Sequence, residues 1–468
     1  MSGWRWLAIL AAGAAIGGAA CAQSGGGRLT RLRGDWEGKL DTGALTLRLI
    51  LHVHAEQGKT VASLDSPDQG ATGLPATVTV TGDEVRIAAK GAAGAFEGRL
   101  TKDDEALTGA WSGLPITFVR RAPGEAVIRP VRPQTPAPPF PYHVRDVSFE
   151  NAAAQVRLAG TLTIPRGSGP FPAVVLIAGS GAHGRDETVF GHRIFLVLAD
   201  YLTRHGVAVL RYDKRGVGGS SGDYAGATST DFAADADAAA AYLRTLPSID
   251  PGRIGLIGHS EGGEVAPMVA LADPDIAFIV LMAGPAIPGD QIIMAQSHDI
   301  AKAAGATPAA LAQNAAVERR FLDAVMAAKD GAAAEAGAAA VLKAAGMAPA
   351  MADAQARAAA SPWYRFFLKY DPAPALMRLR IPVLALIGSR DLQVPAAENI
   401  PALRRALAGD RRATVLELPG LNHLFQTATT GAPSEYGKIE QTIAPSALAT
   451  IADWIGRETH GVRTGGMR

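Results

Sequence analysis

Ser260 stands between two glycines in IGLIGHSEGGEVAP, residues 254–267. A serine hydroxyl attacks a carbonyl only when a base takes its proton and an acid orients that base. Two later residues have the right types in the right order: Asp391 in GSRDLQVP and His423 in GLNHLFQ. The other nine histidines lack such a placement. His259, beside the serine, is expected to point down into the packing around the turn. His52 and His54 share one face of a β run, and a pair alone makes no metal site.

The chemistry has a third requirement, backbone N–H groups that receive the developing oxyanion. One is expected from Glu261, the residue after the serine. The other is expected from Gly179-Ser180-Gly181-Ala182-His183-Gly184, by position the Ser180 amide, with Gly181 as its rival. Glycines there let the backbone approach a substrate closely.

These residues need a frame. RIGLIG (253–258) reads as a buried strand and GGEVAPMVALA as a helix, so Ser260 falls at a strand-to-helix turn that lifts it clear of a sheet. The helix start behind it favours negative charge. PAVVLIAG (172–179), VAVLRYD (207–213), AFIVLMAG (277–284), PVLALIG (382–388) and ATVLELPG (413–420) are further short apolar runs, suited to strands buried on both faces. Helical stretches such as DFAADADAAAAYLRTL lie between them. VRDVSFE and RLAGTLTIP read as an opening antiparallel hairpin. The pattern predicts an α/β fold, a doubly wound and mostly parallel sheet, with its site at the carboxyl ends of the strands. Asp391 and His423 each follow such a strand.

Between Gly284 and Pro382 no strand run occurs, only Ala-rich helical sequence, so a helical cap over about 285–375 is expected. Met294, Met326, Met347, Phe366 and Phe367 would suit an apolar acyl group there, or form the cap's own core. Glu264, Glu318 and Asp323 are the carboxylates that could hold a free amino group. RYDKRGVGGSSG (211–222) lacks the Gly-Lys-Ser/Thr of a P-loop. Its Asp213, Arg215 and Ser220 read as a network that locks a loop.

The chain before this region has another texture. Residues 28–121 alternate in LTLRLILHV and TVTVTGDEVRIAA, and an aromatic-x-Gly unit recurs in DWEGKL, AFEGRL and AWSGL. A small all-β domain, barrel or sandwich, is expected, with each aromatic covering an apolar layer and each glycine easing a bend. Substrate binding, surface binding or simple shielding would each suit it. Residues 122–144 are Pro-rich and read as an extended linker to a catalytic domain over 145–460.

The first residues, MSGWRWLAILAAGAAIGGAACAQ, read as a signal peptide over 1–22, with Arg5 before an apolar run and a small-x-small site at Ala20-Cys21-Ala22. The run is too short and Gly/Ala-rich for a membrane span. Cys21, the single cysteine, also admits lipid attachment, although Gly18 stands where a lipobox has Leu. A periplasmic or secreted chain follows. At 468 residues with 45 basic and 44 acidic side chains, the composition suits two domains and gives no basic stripe for nucleic acid.

LIAGSGAHGRDE, LRYDKRGVGGSSGD, IGLIGHSEGGEVAPM, SPWYRFFLKYDPAPAL, IGSRDLQVP and LPGLNHLFQ together resemble the α/β-hydrolase superfamily over roughly 145–460. More narrowly they look like bacterial serine hydrolases described as esterases or as serine-aminopeptidase-like, often with an added N-terminal β domain. The resemblance implies Ser260 as nucleophile, Asp391 as acid and His423 as base. The loop at Ala178-Gly179-Ser180 departs from the common His-Gly form. The expected activity is hydrolysis of a small carboxylic ester through an acyl-enzyme, with no cofactor and no metal. An aminopeptidase or amidase, an acyltransferase, or a non-catalytic binding protein with a vestigial hydrolase domain are the alternatives.

Overall fold

The computed structural model describes residues 26–41, 46–56, 59–69, 71–89, 95–122, 124–125 and 131–460. The signal-peptide reading and Cys21 lie outside them. The chain divides into two compact units. One comprises the described residues up to Val131 with Val189–Gly191 and Thr307–Ser361; the other comprises Arg132–Thr188, His192–Ala306 and the described residues from Pro362 onward.

The first unit opens with a short helix, α1 (Gly26–Arg31), then eight strands: β1 (Gly34–Asp41), β2 (Thr46–Glu56), β3 (Lys59–Ser66), β4 (Ala71–Thr81), β5 (Glu84–Ala89), β6 (Ala95–Leu100), β7 (Ala106–Trp111) and β8 (Leu114–Arg120). They form a closed antiparallel barrel, sealed where Trp36 pairs with Arg120 and Gly38 with Phe118. The interior is filled by side chains, including Trp36, Leu51, Ile87, Phe96, Leu107 and Phe118. Phe96 and Phe118 meet edge to face at 5.4 Å.

The repeated aromatic-x-Gly units sit here, and in the first two the glycine allows a close approach rather than a bend. A Cβ on Gly98 would strike the Thr108 carbonyl, and one on Gly38 would press on Ile116 and Phe118. These glycines admit a neighbour at close range. In AWSGL, Ser112 and Gly113 both have positive φ (48° and 83°) in the β7–β8 turn, where the strand twist favours that conformation.

The second unit carries the sheet: β9 (His143–Asn151), β10 (Val156–Ile164), β11 (Phe171–Ile177), the two-residue strands β12 (Thr188–Val189) and β13 (His192–Arg193), β14 (Ala208–Tyr212), β15 (Ile249–His259), β16 (Phe278–Met282), β17 (Val383–Gly388) and β18 (Ala413–Leu418). β12 and β13 stand apart from the eight-stranded order β18-β17-β16-β15-β11-β14-β10-β9. β14, β11, β15, β16, β17 and β18 run parallel, and β9–β10 is the antiparallel hairpin. The strand order reverses between β11 and β15, the position at which open α/β sheets form their crevice. β18 is the edge and is half exposed, so the reading of ATVLEL as buried on both faces does not hold.

The helices are α2 (Ile194–Arg204), α3 (Ser229–Arg244), α4 (Gly262–Ala272), α5 (Gly289–Ala303), α6 (Pro308–Ala327), α7 (Gly331–Ala344), α8 (Pro349–Ala359), α9 (Pro362–Lys369), α10 (Ala373–Arg378), α11 (Ala396–Ala406), α12 (Pro433–Tyr436) and α13 (Pro445–His460). The helical interval between β16 and β17 belongs to both units: α6–α8 fall with the barrel, and α5, α9 and α10 with the sheet. Thr307 and Asp330 cap α6 and α7 by accepting the Ala310 and Ala333 amides. Small residues such as Ala334, Ala338, Ala352 and Ala356 let these helices pack closely.

The Pro-rich stretch forms no regular element where it is described until His143 and Val144 enter β9, and its second half is pinned within the sheet unit. Gln134 accepts the Thr442 and Ile443 amides, and the Tyr142 hydroxyl donates to Asp200 at 2.7 Å. Among the described residues no helix is long and apolar enough to cross a membrane.

Candidate active site

β15 ends at His259 and α4 begins at Gly262, leaving Ser260 in a turn with φ +53°, a left-handed conformation that costs a non-glycine residue about 1–3 kcal/mol. Its amide donates to the Met282 carbonyl at 2.9 Å. The turn is this sharp because its glycines have no Cβ. One on Gly258 would collide with the Gly262 carbonyl, and one on Gly262 with the Ile177 carbonyl. Gly263 and Gly284 face each other, so α4 crosses the end of β16 at backbone contact. Ala283, Glu187 and Phe425 also have positive φ, each in a loop beyond a strand of this sheet.

Asp391 follows β17. Its Oδ1 accepts the Gln393 and Val394 amides, both at 2.8 Å, which aims Oδ2 at His423 Nδ1, also 2.8 Å away. Both side chains are buried. The loop carrying His423 is held by the buried Asn422, whose side chain accepts the Leu424 and Gln426 amides and donates to Gln426 Oε1. The residues of LNHLFQ thus frame the histidine from both sides. His423 is brought to the elbow through His259, whose Nε2 lies 3.0 Å from the His423 carbonyl; the two rings are 4.9 Å apart.

The loop after β11 is fixed at both ends of one peptide. The Gly179 N–H donates to Glu187 Oε1 at 2.6 Å, and its carbonyl accepts from Lys214 Nζ at 2.6 Å. The next carbonyl, Ser180, accepts from His183 Nε2 at 2.8 Å. Burial holds His183 below its usual pKa, as suits a neutral ring donating there. The Gly179 amide is therefore engaged, the Gly181 amide faces the Tyr224 hydroxyl, and Ser180 lies between them. Gly179 comes so near the elbow that an added Cβ would lie 3.1 Å from Ser260 Cβ.

Glu261 is buried, and its carboxylate gathers three donors: Lys214 Nζ at 3.1 Å, Ser229 Oγ at 2.7 Å and Trp363 Nε1 at 2.6 Å. Lys214 also lies over the Phe232 ring, 4.3 Å from its centroid. It bridges the peptide after β11 to the elbow, and Trp363 ties the elbow to α9. Glu187, Lys214 and Trp363 were not singled out in the sequence, although Lys214 sits inside RYDKRGVGGSSG after a strand adjacent to β11. In that motif Asp213 accepts Arg185 and the Gly219 amide, Ser220 bridges Asp213 and Ala159, and Arg215 pairs with Asp235. These contacts lock a loop.

Of the carboxylates considered for an amino group, Glu264 lies on the first turn of α4, wholly buried, and neither of its oxygens has a hydrogen-bond partner. Burial, with Glu261 nearby, holds it well above the ordinary carboxylate range. Glu318 and Asp323 lie on α6 in the barrel unit, where Asp323 pairs with Arg319. Among the apolar candidates, Met294, Phe366 and Phe367 belong to the sheet unit and Met326 and Met347 to the barrel unit. Phe367 stacks on Trp363 at 5.4 Å. On the barrel, the His52 ring lies between Asp35 and Asp65, while His54 takes no part.

The model of the alpha/beta hydrolase family matches residues 174–432, from the first parallel strand through the His423 loop. Esterase EstD of Thermotoga maritima is 29% identical over 318 residues, covering 68% of this chain and 70% of that one. Among solved structures, the Pyrococcus furiosus esterase Pf2001 aligns over 71% of this chain and 99% of its own, at 14% identity and a TM-score of 0.42. The α/β hydrolase GrgF from Penicillium sp. sh18 aligns over 68% and 99%, at 18% identity and the same TM-score of 0.42.

Proposed function

The chain belongs to the α/β hydrolase family and is esterase-like, and from that premise we propose that it is an exported serine hydrolase that cleaves small carboxylic esters through an acyl-enzyme on Ser260. One observation carries the reading: the buried His423–Asp391 hydrogen bond, with the His423 ring 4.9 Å from that of His259, the residue before a serine held in a left-handed turn between strand and helix. The sequence pattern of residues 1–22, read as a signal peptide, supports export.

In this reaction Asp391 accepts His423 Nδ1–H, which leaves Nε2 as the basic nitrogen. Nε2 takes the Ser260 proton as Oγ bonds to the substrate carbonyl carbon. The charge that moves onto the carbonyl oxygen is received by the Glu261 and Ser180 amides. The tetrahedral species collapses, the ester C–O bond breaks, and His423 gives its proton to the leaving alcohol. A water molecule, deprotonated by His423, then attacks the acyl carbonyl, and Ser260 leaves with the proton restored. Helices α5, α9 and α10, the part of the segment between β16 and β17 that belongs to the sheet unit, would contribute the acyl pocket. An ester rather than an aminoacyl amide fits the carboxyl groups: burial pushes Glu264 toward its neutral form, and a neutral carboxyl is a poor partner for an ammonium group.

Turnover of p-nitrophenyl esters of graded chain length tests the reading. Ser260→Ala is expected to lose at least about 10⁴-fold in kcat with its melting temperature retained. Wild-type turnover in that variant would reject the assignment.

A further inference from the structure

We propose that Glu187 and His259 form a buried carboxylate–imidazolium pair that positions the loop after β11, the serine elbow and the His423 loop for the reaction. Neither residue touches the reacting atoms in the scheme above, and the inference rests on that scheme.

Four contacts define the pair. Glu187 Oε1 receives the Gly179 N–H at 2.6 Å and faces His259 Nδ1 at 2.9 Å. The other ring nitrogen, Nε2, faces the His423 carbonyl at 3.0 Å. Both groups facing the ring are acceptors. A neutral imidazole has one N–H and one lone pair, so either tautomer would aim a lone pair at an oxygen. With Glu187 ionised, only the imidazolium donates in both directions, while Glu187 Oε1 receives both the ring and the amide. The pKa directions agree with that charged pair, raised at His259 and lowered at Glu187.

His192, another buried histidine, makes the contrast. Its Nδ1 faces the Thr442 hydroxyl, which can donate, and its Nε2 faces the Tyr436 carbonyl, which accepts, so one neutral tautomer serves both, and burial lowers its pKa to about 4. At His259 burial acts the same way, but the Glu187 charge, its hydrogen bond and the His423 carbonyl outweigh it, and the pKa is raised. Burial pushes Glu187 up, and His259 with the Gly179 amide brings it down on balance. The charged and titratable groups facing the pair are His183, His423, whose ring lies 4.9 Å from that of His259, Asp391 and, toward His183, Lys214.

The pair ties together three loops that the sheet holds at separate strand ends: Gly179 after β11, His259 at the end of β15 and His423 after β18. An imidazolium whose pKa is raised loses its charge only as pH climbs past that raised value. The clamp then releases, so the alkaline limb of the activity profile is set by His259.

Glu187→Gln keeps the shape and removes the charge. It is expected to lower kcat 10- to 100-fold with KM within about threefold, and to move the alkaline limb of kcat down by one pH unit or more. Glu187→Asp is expected to restore part of both. Unchanged kcat and pH profile in a folded Glu187→Gln would overturn the proposal, and so would a kcat loss with the alkaline limb unmoved, which marks a structural role only. If the variant does not fold, nitrogen NMR of histidine-labelled wild type decides. Both His259 ring nitrogens are expected to carry protons at pH 7.5, and a neutral ring would refute the pair. Ser260→Ala run in parallel separates the two claims: its retained turnover rejects the proposed function, whereas its loss with unchanged Glu187→Gln rejects only the pair.

Discussion

Arg86 and Glu97 face each other across β5 and β6 of the barrel at 3.4 Å, with 59% and 75% of their side chains exposed. Lys214 and Glu261 in the sheet unit meet at 3.1 Å with 5% and 1% exposed. The separations are similar and the energetics are not. In the barrel, water screens both charges and competes for their hydrogen bonds, so the pair contributes little. In the sheet unit, each charge left alone would face a large desolvation penalty, and both are held by further donors or acceptors. Buried charged contacts of this kind, His259–Glu187, Lys214–Glu261 and Arg215–Asp235, and the His423–Asp391 hydrogen bond all draw on residues at or just after the carboxyl ends of the parallel strands. A fold of this size gains little net stability from such pairs, so their concentration where strands end speaks for chemistry there.

Breaking that contrast has graded effects. Lys214→Met is expected to act most strongly among these. It strands Glu261 and the Gly179 carbonyl without their cation and should destabilise the sheet unit by about 3–5 kcal/mol, read by urea denaturation. A change below about 1 kcal/mol would show that Lys214 is dispensable.

Glu264→Gln tests a buried carboxyl with no counter-charge. Because its pKa is raised, the folded protein retains a proton that the unfolded chain releases near its ordinary value. Stability from this group is therefore lost as pH rises above that ordinary value, at up to about 1.4 kcal/mol per pH unit, until the raised value is passed. The glutamine variant should gain on wild type as pH rises above the ordinary carboxylate range. A difference that stays constant as pH rises would contradict the buried, neutral state. Arg86→Ala should be the mildest, within about 0.5 kcal/mol, and a larger loss would erase the contrast between the units.

Much of the site was legible because each part is a short local pattern. Ser260 lies in a glycine turn between an apolar run and a helix, and Asp391 and His423 each follow an apolar run. The partners that fix those residues were not legible. Glu187 meets His259 across 72 residues, Lys214 meets Glu261 across 47, and Trp363 meets Glu261 across 102. No local periodicity links such positions; the sheet order does. The same holds for the barrel. Alternation and turn residues pointed to strands, but the choice between barrel and sandwich depends on β1 meeting β8, a pairing of Gly38 with Phe118 that no neighbouring residues announce. At β18 the apolar letters of ATVLEL suggested burial on both faces, and its place at the edge of the sheet leaves it half exposed.

The central claim is that Ser260 is the nucleophile, and peptide mapping after reaction with a fluorophosphonate tests it most directly. The wild-type protein should carry a single phosphonyl adduct on the peptide containing Ser260, and Ser260→Ala should carry none. An unlabelled wild type, or an adduct on another residue, would contradict it.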